Sequence, residues 1–319
     1  MSEAASTSRN QTPGEGRRRL VLLIIPTRLE ALCLFPYFRA KGTNEGLVAL
    51  IPRSHRHGKE RARRSLSVHP ADHVLLHLCG VGPGAAARST AAILRHLRPD
   101  EALMAGVCGA LDPALGTGEL MISSGLLPTP SPSGSFPPRG DALTATPSPW
   151  TGPRGGEPLE ESPGTQGLST EVLPALETDS RLAQRARLAC LSTGLAHRTG
   201  TLVTVGEPVL THQRRLLLGR NTGACAVAME DYPVGRLLLE SGVPFLSVRA
   251  VSDPFDLDDP RLEGWLSMVA LGGPSPSALR DLLVHPALLL SLARLGFSTA
   301  IALARLGLFL KAFLAGPSG

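Results

Sequence analysis

Aromatic residues are scarce, at 4% of 319 residues, with two Trp and two Tyr. A single-stranded nucleic-acid platform needs rings on which bases stack, so that class of partner is set aside. Paired cysteines are also missing. Cys33, Cys79, Cys108, Cys190 and Cys225 form no C-x-x-C pair, and their number is odd. A disulfide framework is therefore not expected; reduced, buried thiols in a cytoplasmic setting are. No His or Cys spacing suits a metal, so the nine histidines are read as structural or surface groups and neither metal nor cofactor is expected. The run RRRLVLLII at 17–25 is too short in its apolar part for a signal peptide; Pro26 and Arg28 interrupt it and no cleavage site follows.

What the chain does have is apolar weight, with 43% hydrophobic and 18% charged residues, enough for a sizeable core. The net charge of +5 owes much to RRR at 17–19 and RSHRHGKERARR at 53–64. Both read as solvated segments; attraction to acidic lipid or phosphate is the sharper alternative.

Short apolar runs alternate with helical spacing. Strands are expected at Leu20–Ile25, Gly46–Ile51, Val74–Cys79, Ala102–Val107, Leu120–Ser123, Thr201–Val205 and Val243–Val251. Helices are expected at Glu30–Phe38, Ala85–Leu97, Ser180–Ser192 with Asp179 as N-cap, and Glu230–Ser241 with Gly242 as stop. The alternation gives an α/β fold, a sandwich around a central sheet. Residues 1–19 read as a disordered tail and 20–272 as the α/β domain. Within it, about 128–175 is a Pro/Gly/Ser/Thr-rich insertion that cannot bury enough apolar surface to order itself.

Residues 273–319 read as an amphipathic helical extension. Over 285–316 the only charges are Arg294, Arg305 and Lys311, and LARLG recurs at 292–296 and 303–307. An eleven-residue offset is about three helical turns, so the two arginines share a face. The segment lacks about 20 uninterrupted apolar residues for a span. A helix pair packing on the domain or a partner, or lying in a membrane surface, is expected instead.

Three segments carry chemistry: GVGPGAAARSTAAIL, MAGVCGALDPALGTGELMISS and VAMEDYPVGRLLLESGVPFLSVRAVSDPFD. A Gly-rich turn alone is a weak signal. In this order, G-x-G-x-G, then the CGALDPALGTGE turn, then M-E followed a helix later by VPFLSVRAVSD resembles the purine nucleoside phosphorylase and nucleosidase superfamily. The resemblance covers 20–127 and 179–256. It implies a three-layer α/β sandwich with a mixed central sheet, and cleavage of the bond between nucleobase and ribose by water or phosphate. It also implies a homo-oligomer.

The resemblance assigns roles. Asp253, at a strand end, would hold the proton that makes the purine leave, with Ser252 orienting it. Glu230 would accept the ribose hydroxyls, with Met229 packing on the sugar. Glu30 would activate water. Gly82, Val107 and Val209 would line the substrate site, Val209 standing where relatives carry an aromatic ring. The chemistry fits these types, because a desolvated carboxylic acid keeps its proton near neutral pH and a carboxylate stabilises an oxocarbenium-like sugar. The bland alternatives are a turn cap for Asp253, a helix-dipole complement for Glu230 and a solvated helix residue for Glu30.

Phosphorylases of this family carry an arginine where this chain has Met104, which favours water as acceptor. The stretch TLVTVGEPVLTHQRRLLLGRNTGACAVAME, with the Leu/Arg-rich tail, is most similar to the hopanoid-associated branch. That similarity implies removal of adenine from a 5′-deoxyadenosyl group on hopane, by an enzyme peripheral to the inner membrane face. Alternatives are a methylthioadenosine/adenosylhomocysteine nucleosidase, a phosphate-dependent phosphorylase, and a non-enzymatic nucleoside-binding module attached to a membrane. Ala228 and the run Asp231-Tyr232-Pro233 depart from the nucleosidase pattern.

Overall fold

The computed structural model describes residues 19–42, 48–52, 73–128, 173–256, 258–272, 280 and 285–315. Residues 1–18 of the expected tail, the basic run at 53–64 and nearly all of the expected insertion lie outside the described residues.

In chain order the elements are β1 (Leu20–Ile25), α1 (Arg28–Ala31) with a 3₁₀ turn at Leu32–Leu34, β2 (Phe38–Gly42), β3 (Val48–Pro52) and β4 (His73–Leu78). Then come α2 (Pro83–Leu94), β5 (Glu101–Ala110), β6 (Leu120–Leu127), β7 (Leu176–Glu177) and α3 (Ser180–Thr193). The last are β8 (His197–Thr204), α4 (His212–Thr222), β9 (Ala226–Ala228), α5 (Asp231–Glu240), β10 (Phe245–Asp253), α6 (Pro260–Gly272) and α7 (Pro286–Ala315).

All described strands join one mixed sheet. β10, β6, β8, β9 and β5 pair in succession, and β5 pairs back onto β10, so these five close a ring. β1, β4, β3 and β2 continue the sheet outward from β5. β1, β4, β5 and β10 run parallel, so their carboxyl ends share one edge. β9 runs antiparallel to β5, with Val227 opposite Gly109, and so carries the chain back along β5 toward Gly106.

Side-chain alternation sorts the core. Val21, Leu23 and Ile25 of β1 and Leu246, Val248 and Ala250 of β10 face α3 and α7. Leu22, Ile24, Phe245 and Val251 face α2 and α5. Both faces are covered, which is why β1 reads as an unbroken apolar run rather than an alternating one. This is the expected three-layer α/β sandwich.

Three expectations change. The helix expected at Glu30–Phe38 is one turn of α1, the 3₁₀ turn, and then a strand that Phe38 opens. Phe38 is 3% exposed on the α3 face, and burial of its ring outweighs helical continuation. Gly46 falls outside the described residues, and the second expected strand is described from Val48.

The C-terminal helix pair is a single 30-residue helix. Its first half exposes Leu289, Leu290 and Phe297 while Leu288 is buried against Leu262 and Leu210. Its second half buries Leu306, Phe309, Leu310 and Phe313 on the sheet. Gly307 lets that half sit on the 3₁₀ turn, since a Cβ there would collide with the Cys33 carbonyl. Contrary to the expectation from run length, α7 is long and apolar enough to cross a membrane, with a mean hydropathy of 1.8 over 18 residues. Its second half nevertheless belongs to the core of the α/β domain.

Candidate active site

The loop after β1 positions the first carboxylate. Thr27 is the N-cap of α1: its hydroxyl accepts from the Glu30 amide at 3.1 Å and donates to Glu30 Oε2 at 2.7 Å. This reciprocal pairing, a variant of the capping box, turns the Glu30 side chain back over the strand ends. Glu30 Oε1 there accepts from the Val107 amide of β5 at 3.0 Å. Glu30 is only 6% exposed, so the solvated-helix reading does not hold.

The second carboxylate arrives from β9. Glu230 Oε1 accepts from the Gly82 amide at 3.0 Å, across the start of α2. Gly82 has φ +85°, a conformation that favours glycine, and this turn aims its N–H at the carboxylate. Between Glu30 and Glu230 lies a guanidinium that sequence reasoning left without a role. Arg249 sits opposite Gly106 in the β10–β5 register, and a Cβ at Gly106 would collide with its Nη1 and stand 2.6 Å from Glu30 Oε1. Gly106 therefore makes room for the pair.

Arg249 is spent mostly on Asp231. Its Nε donates to Asp231 Oδ1 at 3.2 Å, and its Nη2 lies 2.8 Å from Asp231 Oδ2, an ion-pair contact without hydrogen-bond alignment. Ser247 adds a 2.5 Å hydrogen bond to Asp231 Oδ1. Glu230 Oε2 is 3.6 Å from Nη2. Burial accordingly dominates at Glu230 and lifts its pKa to about 7, although Arg249 and the Gly82 amide pull it down. Arg249, fully enclosed among carboxylates, holds its proton more tightly than an ordinary arginine.

Two of the departures, Asp231 and Tyr232, have structural partners. Asp231 is the counterion of Arg249, and the Tyr232 hydroxyl donates to the Pro174 carbonyl at 2.8 Å.

The acid expected at the base stands farther along β5. Asp253 ends β10 opposite Gly109, after a register shift at Val251–Asp253. It is half-buried, and the burial of its carboxyl raises its pKa; Arg215 and Ser252 oppose the shift. Ser252 is buried, and its hydroxyl donates to the Cys108 carbonyl at 3.4 Å. From Gly106 to Gly109 is about 10 Å at about 3.3 Å per strand residue. The two glutamates thus stand at one end of this stretch and Asp253 at the other, a separation suited to a sugar and its base.

Arg215 of α4 is the second residue that sequence reasoning missed. It is fully buried; its Nε donates to the Val209 carbonyl at 2.9 Å and its Nη1 to the carbonyls of Asp253, at 3.0 Å, and Pro254.

A cleft of about 260 Å³ is lined by Val81, Gly82, Pro83, Arg88, Glu207 and Met229 among others. Gly82 and Met229 are the expected substrate-binding residues it contains. Val209 is elsewhere: its side chain packs with Val203, Val205 and Val227, in a cluster that Met229 borders. Val107 contributes its amide, which holds Glu30. Among the described residues no group of three or more His, Cys, Asp or Glu converges as a metal site requires.

Similar sequences and folds are found among known proteins. A 5′-methylthioadenosine/S-adenosylhomocysteine nucleosidase of Geobacillus kaustophilus (strain HTA426) is 28% identical over 178 residues. The match spans 54% of this chain and 64% of that relative, less than two thirds of its length. Among solved structures, the 5′-methylthioadenosine/S-adenosylhomocysteine nucleosidase of Neisseria meningitidis, in complex with methylthio-immucillin-A, superposes with a TM-score of 0.56 at 16% identity, covering 92% of this chain and 99% of that one. A futalosine hydrolase mutant of Helicobacter pylori strain 26695 gives a TM-score of 0.52 at 17% identity, covering 83% and 98%. These structural likenesses are likenesses of fold. The family described as the phosphorylase superfamily matches residues 21–265, a stretch that holds Glu30, Gly82, Val107, Val209, Met229, Glu230, Ser252 and Asp253, and to that superfamily the chain belongs.

Proposed function

We propose that the protein is an N-glycosyl hydrolase that releases a purine from its nucleoside with water as acceptor. The observation that carries this reading is the order of groups along the carboxyl end of β5: Glu30 on the Val107 amide, Glu230 on the Gly82 amide, and Asp253 opposite Gly109. In this scheme Glu30 takes the proton of an attacking water. Glu230 accepts the sugar hydroxyls and stabilises positive charge at C1′. Asp253 delivers a proton to the base nitrogen N7, so that the base departs neutral.

Water is favoured over phosphate because Met104 is 2% exposed and packs in the apolar cluster beside Leu22 and Ile24. A buried phosphate dianion would lack a cation at that position. The nucleosidase name of the Geobacillus kaustophilus relative supports the reading.

For the substrate, we infer a 5′-deoxyadenosyl group carried on a hopanoid-type lipid. The exposed Leu289, Leu290 and Phe297 of α7 support this, as a surface that would bring the domain to a bilayer. Methylthioadenosine or adenosylhomocysteine is the second substrate reading, favoured by the curated relative. The non-enzymatic reading loses its support at Asp231 and Tyr232, which have structural partners. The homo-oligomer implied by the resemblance belongs to the same proposal.

The test is incubation of the full chain with adenosylhopane in detergent, and with methylthioadenosine, in buffer without phosphate. Free adenine from either supports hydrolysis, and the faster reaction identifies the substrate class. Turnover only when phosphate is added would overturn the choice of acceptor. Adenosine binding without turnover of any nucleoside would restore the binding-module reading.

A further inference from the structure

The Thr27 hydroxyl makes two hydrogen bonds that serve different ends. Its oxygen accepts from the Glu30 amide at 3.1 Å, and its O–H donates to Glu30 Oε2 at 2.7 Å. A hydroxyl has a single proton; with the amide directed at a lone pair, that proton is aimed at the carboxylate. The backbone on either side is anchored. The Gly80 amide donates to the Pro26 carbonyl at 3.0 Å, and the Ala31 amide to the Thr27 carbonyl at 3.1 Å. A second hold on Glu30 comes from β5. β1 pairs with β5 only as far as Met104, and farther along the strand the Val107 amide donates to Glu30 Oε1 at 3.0 Å. Each carboxylate oxygen thus has a donor, from two different parts of the chain, and together they fix the plane of the group.

We propose that Thr27 is a positioning residue for Glu30, its O–H holding the carboxylate in the orientation from which it takes the proton of the attacking water. The proposal rests on the reading of Glu30 as the base. In the step, the water oxygen bonds to C1′ and one water proton passes to Glu30. The C1′–N9 electron pair leaves with the purine as the Asp253 proton passes to N7. Glu30 then releases its proton to solvent and Asp253 regains one. A glutamate side chain has several rotatable bonds, and a carboxylate held through Oε1 alone can swing about that one hydrogen bond. Misplacing a catalytic group by about 1 Å can cost on the order of 10²-fold in rate. The water still finds an acceptor, because an ionised carboxylate has about four lone-pair sites and the two protein donors leave room.

The plainer role for Thr27 is that of N-cap to α1 alone. The two roles use different parts of the hydroxyl. Capping uses the oxygen lone pair that meets the Glu30 amide; positioning uses the proton that meets Oε2. Three substitutions separate them. Ser keeps both bonds. Val keeps the shape of the side chain and loses both. Gly removes the hydroxyl yet is itself an accepted N-cap, little worse than Thr. A residue that only caps predicts that rate follows stability, so that Gly is tolerated.

The experiment measures kcat and KM of wild type, Thr27→Ser, Thr27→Val, Thr27→Gly and Glu30→Gln on methylthioadenosine, or on adenosylhopane in detergent if that is the faster substrate. Circular dichroism checks that each variant folds. Thr27→Val and Thr27→Gly are expected to lower kcat by ~10–100-fold with KM changed less than about twofold, because the contact acts on the water's base and not on the nucleoside. Thr27→Ser is expected to keep kcat within about threefold of wild type. Glu30→Gln, which loses the base itself, is expected to be the slowest. Wild-type kcat in Thr27→Gly or in folded Thr27→Val overturns the proposal, as does a Thr27→Ser no faster than Thr27→Val; Thr27 is then a cap only. If Thr27→Val does not fold, Thr27→Gly against Thr27→Ser decides in the same way. Wild-type kcat in Glu30→Gln is a separate failure, because the base of the proposed function would fall with it.

Discussion

Arg249 Nη2 lies 2.8 Å from Asp231 Oδ2 but 3.6 Å from Glu230 Oε2. The buried cation is thus committed to a structural carboxylate, and the carboxylate assigned to the sugar is left under-compensated. In the proposed scheme that imbalance keeps Glu230 available to a substrate hydroxyl, and it fixes how the protein should respond to pH and to mutation.

Glu230 titrates near pH 7 in the folded chain, above its ordinary 4.5, because burial destabilises its charge. The folded state therefore binds this proton more tightly than the unfolded state. The resulting stabilisation is complete below pH 4.5 and is lost as pH rises through about 7. It is worth up to about 3 kcal/mol. Glu230→Gln should remove this term, so the Tm difference between wild type and variant should change between pH 5 and pH 8, with wild type losing ground. In catalysis Glu230 must be ionised, so kcat/KM of wild type should rise with pH through the same region. A flat acidic limb there would contradict the assignment.

Removing Arg249 should be worse than removing either of its partners. Arg249→Met leaves Asp231 and Glu230 as buried carboxylates without their cation. A loss of about 3–5 kcal/mol in urea unfolding is expected. The double variant Arg249→Met/Asp231→Leu should recover part of that loss, since Asp231 is no longer stranded and burial already pushes Glu230 toward its protonated form. Recovery of stability without activity is expected, because Glu230 would still lack the guanidinium that lies 3.6 Å from its Oε2.

The two halves of α7 should separate in function. Phe309 and Phe313 are 0% and 3% exposed, and the Arg185 guanidinium stands 4.6 Å from the Phe313 ring centroid. Either residue changed to Ala should cost about 3–5 kcal/mol in thermal or urea unfolding. Deleting the helix would therefore unfold the domain rather than test its surface. The triple variant Leu289→Ser/Leu290→Ser/Phe297→Ser changes only exposed side chains and should leave stability within about 1 kcal/mol. If this face meets membrane, the variant should lose flotation with phosphatidylcholine–phosphatidylglycerol vesicles that carry the wild type. Equal flotation would remove the lipid surface from the proposal.

Much of this was legible in the chain itself. The strand Leu20–Ile25 announces burial on both faces by its unbroken apolar run. Asp179 reads as an N-cap, and its carboxylate does accept the amides of Arg181 and Leu182 at 3.0 Å. Glu230 and Asp253 were named from motifs and Glu30 as the acidic candidate after the first strand, and the fold brings all three to the carboxyl edge of the sheet. What escaped were long-range pairings. Arg249 sits in VPFLSVRAVSD as an oddity of an apolar strand, and only the β10–β5 register places it over Gly106. Arg215 lies in THQRRLLLGRNTG, where burying a cation defeats the apolar periodicity that would mark α4. The eleven-residue LARLG offset put Arg294 and Arg305 on one face but did not distinguish a helix pair from the single helix observed, in which Gly307 permits close packing on Cys33.

The most direct measurement is product analysis by mass spectrometry in phosphate-free buffer made with ¹⁸O-labelled water, for wild type and for folded Asp253→Asn. Wild type should release free adenine and place one ¹⁸O at the sugar's C1′ position, and Asp253→Asn should be slower by about 10²–10⁴-fold. Adenine release at the wild-type rate by Asp253→Asn, or a sugar product free of label, would contradict the account.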